Sequence, residues 1–358
     1  IITGSLIGDE SYFAGDALGT GWEWDDLMFY YGAPISALTV NDNAITYEVT
    51  PGKRLGDAPV IRLRPATAYP QIINRAKTSA GGPTRIGIHR DLSSDTVEFF
   101  GTIPRNAAVW DAEIAVHSPA AYAATLLKEA LIRRGIQMRG KVKTLNAVDR
   151  VTNPFDAAKL TELAFVESQP MATLLKVVNK PSQNLHTELL LRQLGVASGV
   201  NGAQQELDDY GRPKPTFEKA NEARKLFLTK AGVNLAPLSL RDGSGLSHSD
   251  LVTPRATSRL LEFMSTHPHA AIFRESLPIA GTDGTLKRRM KGTAAEGKLR
   301  AKTGTLTYVN ALSGYLTTAS GQTLLVSFYG NNYVGAGRDV TGVMDQLCAM
   351  LAEYAGDW

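Results

Sequence analysis

Gly297-Lys298-Leu299-Arg300-Ala301-Lys302-Thr303-Gly304-Thr305-Leu306 is the stretch from which the fold is read. Its centre, Lys302-Thr303-Gly304-Thr305, reads as a strand carrying a cation, a hydroxyl and a glycine. Lys302 can attract a carboxylate, and Thr303 can donate a hydrogen bond to it. Gly304 leaves backbone uncovered, so a ligand can lie close against the strand. The segments that follow, residues 309–318 and 322–329, are rich in β-formers and joined through Ser320-Gly321. That is a hairpin signal, and it puts the Lys-Thr-Gly strand at the edge of an antiparallel sheet. A Lys-Thr-Gly arises by chance about 0.1 times in a chain of this length. Alone it also fits a surface lysine before a turn, so a partner motif has to accompany it.

A chain of 358 residues has room for two or three domains and a sizeable core. Its 43% hydrophobic and 20% charged residues are ordinary for a globular protein. A net charge of +3 argues for neither a nucleic acid nor an anionic membrane as partner. Cys348 is the lone cysteine, which excludes an internal disulfide and a multi-cysteine zinc site. The six histidines include no His-Glu-x-x-His spacing, so no metal or cofactor is expected. No apolar run reaches the roughly 18–20 residues needed to cross a bilayer. Ser247-His248-Ser249-Asp250 holds triad residue types, but sequence neighbours rarely face one another. Gly281-Thr282-Asp283-Gly284-Thr285 lacks the Gly-Lys-Ser/Thr ending of a phosphate loop.

Residues 1–35 carry short strand signals and then Gly21-Trp22-Glu23-Trp24-Asp25-Asp26, with Phe29, Tyr30 and Tyr31 close behind. A short helix burying its tryptophans and a ligand wall are equally compatible with that pattern. Residues 36–117 read as mostly β, with runs at 44–49 and 60–63 separated by Pro, Gly and Asn. Ser118-Pro119 opens a helix whose inward positions are Tyr122, Leu126, Leu127, Ala130 and Leu131, and Gly135 stops it. Residues 136–150 return to a strand pattern, and 151–159 read as a boundary. From about 160 the periodicity is helical: Met171, Leu174, Leu175 and Val178 mark one helix, and Leu185, Leu189 and Leu190 the next. Further helices are expected over 216–231 and from Thr253-Pro254, and Asp339 is expected to cap a last one. Its inner face is Val340, Val343, Met344, Leu347 and Leu351. Lys180-Pro181-Ser182-Gln183-Asn184 breaks the first helix from the second.

That break holds the partner motif. A Ser-x-Asn occurs about once by chance in such a chain, and Ser182 also suits a cap for the helix beginning near Asn184. Yet a helix-break Ser-x-Asn followed about 120 residues later by a strand-borne Lys-Thr-Gly is the pairing shared by β-lactamases and penicillin-binding proteins. With Arg241-Asp242-Gly243-Ser244-Gly245-Leu246-Ser247, with residues 277–286 and with the tryptophan segment, the chain resembles one family over nearly its whole length. This is the class C low-molecular-mass penicillin-binding proteins, the D-alanyl-D-alanine carboxypeptidase/endopeptidases of peptidoglycan.

The resemblance implies an α+β fold. A penicillin-recognising, serine transpeptidase-like domain (antiparallel sheet with helices) carries β-rich inserted domains. Residues 1–35 would end a small inserted domain, 36–159 form a β-rich one, and 160–358 form the C-terminal part of the catalytic domain. The implied activity is acyl transfer through a serine ester on peptidoglycan peptides, with β-lactams as acylating agents and a periplasmic or otherwise exported location. Ser182 would relay a proton towards the leaving amine, Asn184 hold the substrate amide, and Lys302 and Thr303 bind the terminal carboxylate. Gly304 lies between them, and the Thr305 N–H would supply half of an oxyanion hole. Asp26, Tyr31 and Arg289 would stand beside the cleft and choose the substrate.

One departure is plain. The family carries its nucleophile in a Ser-x-x-Lys near the N-terminus, and no serine here is followed by a lysine three residues later. The chain also opens on Ile1-Ile2-Thr3-Gly4-Ser5-Leu6-Ile7, with no initiator Met and a strand already under way. A chain beginning partway through a longer one is therefore expected, inactive by itself and with apolar surface exposed along its last helix. The rival expectations are a wall-binding or scaffolding homologue that keeps the cleft without the nucleophile, and a β-lactamase.

Overall fold

A computed structural model describes residues 1–154, 156–198 and 206–356. It divides into two compact units, Ile1–Asp156 with Glu188–Lys219 and Ala157–Thr187 with Ala220–Trp358. Residues 1–35 fall in the same unit as residues 36–156.

The first unit is mainly β. Strand β1 (Leu6–Asp9) pairs in parallel with β9 (Val142–Leu145). Strand β2 (Ala44–Thr50) lies between β3 (Val60–Arg64) and β8 (Trp110–Ala115), antiparallel to both. Strand β7 (Thr96–Pro104) is the hub of a second sheet, parallel to β4 (Gln71–Asn74) and β5 (Lys77–Ser79) and antiparallel to β6 (Arg85–Arg90). Ile45, Tyr47 and Ile114 of the β2 sheet form one core with Val97, Phe99 and Ile103 of β7, and Tyr122 of α1 (Pro119–Arg133) joins them. Helix α1 begins at the expected proline, and Gly135 follows its end at φ 82°, a left-handed conformation that costs glycine little. One local expectation fails, and one of two open alternatives is removed. Residues 136–150 hold not only β9 but also α2 (Ala147–Thr152), which a capping box between Asn146 and Asp149 initiates. The tryptophan segment is a run of turns rather than a helix, and Trp24 is 73% exposed.

The second unit holds α3 (Met171–Asn179), α6 (Pro254–Ser265), α7 (Ala270–Ser276) and α8 (Gly337–Glu353). Helices α4 (Asn184–Ser198) and α5 (Thr216–Lys230) each contain a point where the division between units falls. The unit's sheet is β10 (Leu299–Leu306), β11 (Val309–Thr317) and β12 (Thr323–Asn331), in that order and antiparallel throughout. The hairpin turns where the sequence reading put it: Gly321 sits at φ 83° and its N–H donates to the Thr318 carbonyl at 3.1 Å. The Lys-Thr-Gly strand is accordingly an edge strand.

Both faces of this sheet are covered. Leu299, Ala301, Leu312, Leu316 and Val326 pack with Met344, Cys348 and Ala352 of α8. On the other face, Tyr315 packs with Leu261 of α6 and Leu277, and its hydroxyl donates to the Leu261 carbonyl at 2.8 Å. Asp339 does not cap α8; Ala336 holds that place, and Asp339 lies in the first turn, where it still favours the positive end of the helix. Of the five inner positions expected along α8, Met344 is buried, Val340 and Leu351 pack on the core, and Val343 is 57% exposed. Leu347 lines an apolar cavity of about 250 Å³ with Phe328, Met350, Leu351 and Tyr354.

Candidate active site

Lys302 and Ser182 meet. The Lys302 Nζ donates to Ser182 Oγ at 2.6 Å and to the Thr303 carbonyl at 2.7 Å. Local structure explains the serine's position. Helix α3 ends at Asn179 and α4 begins at Asn184, so Ser182 sits in the intervening turn with φ 66°, in the left-handed region. A non-glycine residue is held there only when its surroundings impose it. The cap expected of Ser182 is made by its neighbour instead: the Leu185 N–H donates to Gln183 Oε1 at 3.1 Å. Its hydroxyl is thereby directed to Lys302 rather than to the helix. Asn184 is the first residue of α4, two positions on from Ser182.

Strand pairing sets out the rest. Residues 278–280 run along the outer edge of β10 only as far as Ala301: the Ala280 N–H donates to the Leu299 carbonyl and the Ala301 N–H to the Pro278 carbonyl, both at 3.0 Å. Those bonds show that odd-numbered residues of β10 turn their N–H and C=O groups outward. In an antiparallel strand the alternation carries on, so the N–H groups of Thr303 and Thr305 also face the outer edge. Among the described residues no strand pairs with that edge beyond Ala301. The Thr303 hydroxyl is 2.7 Å from that of Thr285. The Thr305 hydroxyl accepts from Nδ2 of the buried Asn310 at 3.2 Å, and Asn310 Oδ1 accepts from the Tyr333 hydroxyl at 2.6 Å. At Gly304 an added Cβ would make only ordinary contact, 3.4 Å from that of Ala311. The fold itself does not require that glycine.

Lys302 is the charged group of this cluster. Burial pulls its ammonium down to about 8, and its hydrogen-bond partners, a hydroxyl and a carbonyl, are neutral. An unfolded lysine keeps its proton to about 10.4. Between about pH 8 and pH 10.4 the unfolded chain therefore holds a proton that the folded chain has lost, and this residue's contribution to stability rises with pH through that window. Urea midpoints measured from pH 7 to 10 should show that contribution, and Lys302→Met should remove it. An identical pH dependence in wild type and variant would count against it.

Arg289 has a structural partner within the second unit. Its Nε and Nη2 bond Asp345 of α8 at 3.1 and 2.7 Å, with both side chains largely buried, so it ties the loop before β10 to the last helix. Asp26 and Tyr31 belong to the first unit. The Tyr31 hydroxyl bonds Asp26 and is pushed up to about 12, by burial first and then by the Asp26 charge. Its ring stacks on Phe29 with centroids 5.6 Å apart. Three residues the sequence reading had not credited with a role also belong to the site's surroundings: Thr285, Asp283 and Lys180. The two glycines of the 281–285 loop were the available signal. Among the described residues, no group of three or more His, Cys, Asp or Glu is arranged to hold a metal ion. No helix among them is long and apolar enough to cross a membrane.

The D-Ala-D-Ala carboxypeptidase 3 (S13) family matches residues 1–354. The chain belongs to that family. It is 35% identical to a D-alanyl-D-alanine carboxypeptidase of an Actinomadura species, over 99% of this chain and 64% of the relative. It is 27% identical to a D-alanyl-D-alanine carboxypeptidase of Haemophilus influenzae, over 93% of this chain and 66% of that one. The chain thus spans a little under two thirds of the length of these relatives. The crystal structure of penicillin binding protein 4 from Haemophilus influenzae superposes with a TM-score of 0.74 at 25% identity, covering 98% of this chain and 75% of that one. The S13 fold, a penicillin-recognising domain with inserted β domains, is therefore the fold of this chain.

Proposed function

We propose that this S13 chain carries the substrate-binding side of a serine D-alanyl-D-alanine carboxypeptidase/endopeptidase that acts on peptidoglycan stem peptides through an acyl-enzyme and is acylated by β-lactams. The observation that carries the reading is the 2.6 Å contact of Lys302 Nζ with Ser182 Oγ beside an open strand edge. A substrate peptide laid along that edge continues the sheet, and its terminal carboxylate reaches the Lys302 ammonium and the Thr303 hydroxyl. Ser182, hydrogen-bonded to Lys302, passes a proton towards the departing amine, and Asn184 holds the substrate amide. Gly304 lets the peptide approach, and the outward N–H of Thr305 stabilises the oxyanion. The nucleophile of this reaction is to be sought outside the 358 residues, which contain no Ser-x-x-Lys. Such a substrate places the protein in the periplasm or otherwise outside the cytoplasm.

The test is acylation of the complete protein by a labelled penicillin together with release of D-alanine from an acyl-D-Ala-D-Ala peptide. Both are expected, and both should be lost in Ser182→Ala. Affinity for the peptide should fall as pH rises through about 8, where burial leaves the free Lys302 without its proton. The missing Ser-x-x-Lys favours a second reading, a non-catalytic peptidoglycan-binding homologue. It predicts peptide binding by the complete protein without acylation.

Asp26 and Tyr31 enter the proposal as selectors. A carboxylate held by a tyrosine hydroxyl and flanked by an aromatic stack suits the free ammonium of a diaminopimelate side chain. In the complete protein, Asp26→Ala should weaken hydrolysis of peptides bearing that amine about tenfold more than of those lacking it. Equal effects on the two substrates would end the idea.

A further inference from the structure

The loop Gly281-Thr282-Asp283-Gly284-Thr285 touches both halves of the site. At one end it grips the turn that carries Ser182. Lys180 Nζ donates to both oxygens of Asp283, at 2.9 and 2.7 Å, and to the Leu277 carbonyl at 2.6 Å. The Thr285 N–H returns a bond to the Lys180 carbonyl at 3.0 Å. Asn179 Nδ2 adds one to Ser276 Oγ at 2.7 Å. Gly284 permits the fit, since its φ is 55° and an added Cβ would stand 2.6 Å from the Lys180 carbonyl oxygen. At the other end the Thr285 hydroxyl lies 2.7 Å from that of Thr303. The loop is itself fixed, because the Ile279 N–H donates to Asp283 Oδ1 at 2.8 Å and residues 278–280 are bonded to β10.

From this geometry we infer that the loop is a spacer that sets the distance between the proton relay and the carboxylate site. Lys180 and Asp283 are positioning residues for Ser182. Thr285 is a third substrate-binding group beside Lys302 and Thr303, offering its hydroxyl to the same terminal carboxylate. The inference rests on the acyl-transfer reading above. Its chemistry is specific. The left-handed Ser182 stays within reach of Lys302 because the bonds through Lys180, from its ammonium to Asp283 and the Leu277 carbonyl and to its carbonyl from the Thr285 N–H, hold its turn to the strand's flank. A shift of about 1 Å at a reacting group can cost on the order of 100-fold in rate. Ser182 acts when the amine departs, so loosening its turn should lower kcat. Thr285 acts on the bound carboxylate, so its loss should raise KM.

The experiment is steady-state hydrolysis of an acyl-D-Ala-D-Ala peptide by the complete protein and four variants. Asp283→Asn is expected to lower kcat about 10- to 100-fold with KM within about threefold. Lys180→Arg, which keeps a cation opposite Asp283, should retain most of the activity. Thr285→Val, close in size to threonine, should raise KM about fivefold or more with kcat within about twofold. Lys302→Met is the control for the underlying reading. A wild-type kcat in Asp283→Asn, or kcat and KM moving together in both Asp283→Asn and Thr285→Val, overturns the inference while Lys302→Met remains inactive. Should Asp283→Asn fail to fold, Lys180→Gln, which removes the cation opposite Asp283, takes its place: the same fall in kcat with KM little changed is expected, and a wild-type kcat overturns the inference. Full activity in Lys302→Met would instead remove the acyl-transfer reading itself, and the spacer role with it.

Discussion

Lys302→Met in the complete protein should lower kcat/KM for an acyl-D-Ala-D-Ala peptide by about 100- to 1,000-fold, which is roughly 2.7–4 kcal/mol. The size follows from what the residue is proposed to do, placing a cation where a carboxylate binds and a donor against the Ser182 hydroxyl 2.6 Å away. Stability should move the other way or not at all. Burial disfavours the Lys302 charge, and its hydrogen-bond partners are a hydroxyl and a carbonyl, neither of which neutralises it. Methionine is of similar length and needs no such partners. Urea denaturation at pH 7 and peptide hydrolysis, measured on the same preparation, separate the two. A variant that loses stability and activity together would mean that Lys302 is a structural residue.

Gly314→Ala is expected to cost at least about 2–3 kcal/mol of folding stability. Gly314 is buried on β11 opposite Ala301. A Cβ added there would stand 2.1 Å from the Arg300 carbonyl oxygen and 2.5 Å from the Ala301 Cα, so backbone rather than a side-chain tip has to give way. The strand displaced is the one that carries Lys302. The site should therefore lose the Ser182 contact even where the protein still folds, and peptide affinity should drop in step with the denaturation midpoint. A change in stability below about 0.5 kcal/mol would show that β10 and β11 can separate at little cost.

Gly314 and Lys302 differ in how visible they are beforehand. The Lys-Thr-Gly strand announces itself because its chemistry is consecutive in sequence, and the hairpin after it because strand period and turn residues are local signals. Helix α1 is legible for the same reason, from Ser118-Pro119 at one end to Gly135 at the other. Where local signals compete, the reading slips. Ser182 and Gln183 can both cap α4, and the choice falls to Gln183 because Lys302, 120 residues away, takes the serine hydroxyl. The aromatic run near Trp24 has helix-compatible spacing, but turns prevail there and leave that ring exposed.

By itself the sequence determined the family, the antiparallel hairpin with its edge strand, and the two motifs whose Ser182 and Lys302 come into contact. Each of these rests on residues adjacent in the chain or on several short motifs whose order is informative. Tertiary structure alone decided the rest. Arg289 carries a cation that looks free in sequence, and only the packing of α8 supplies Asp345, 56 residues on, as its partner. Asp283 and Lys180 are unremarkable residues in two separate turns until the fold brings them within 2.7 Å. The physical reason is the same in both cases. A charge finds its counterion through space, and separation along the chain carries no information about that distance until the strands and helices have packed.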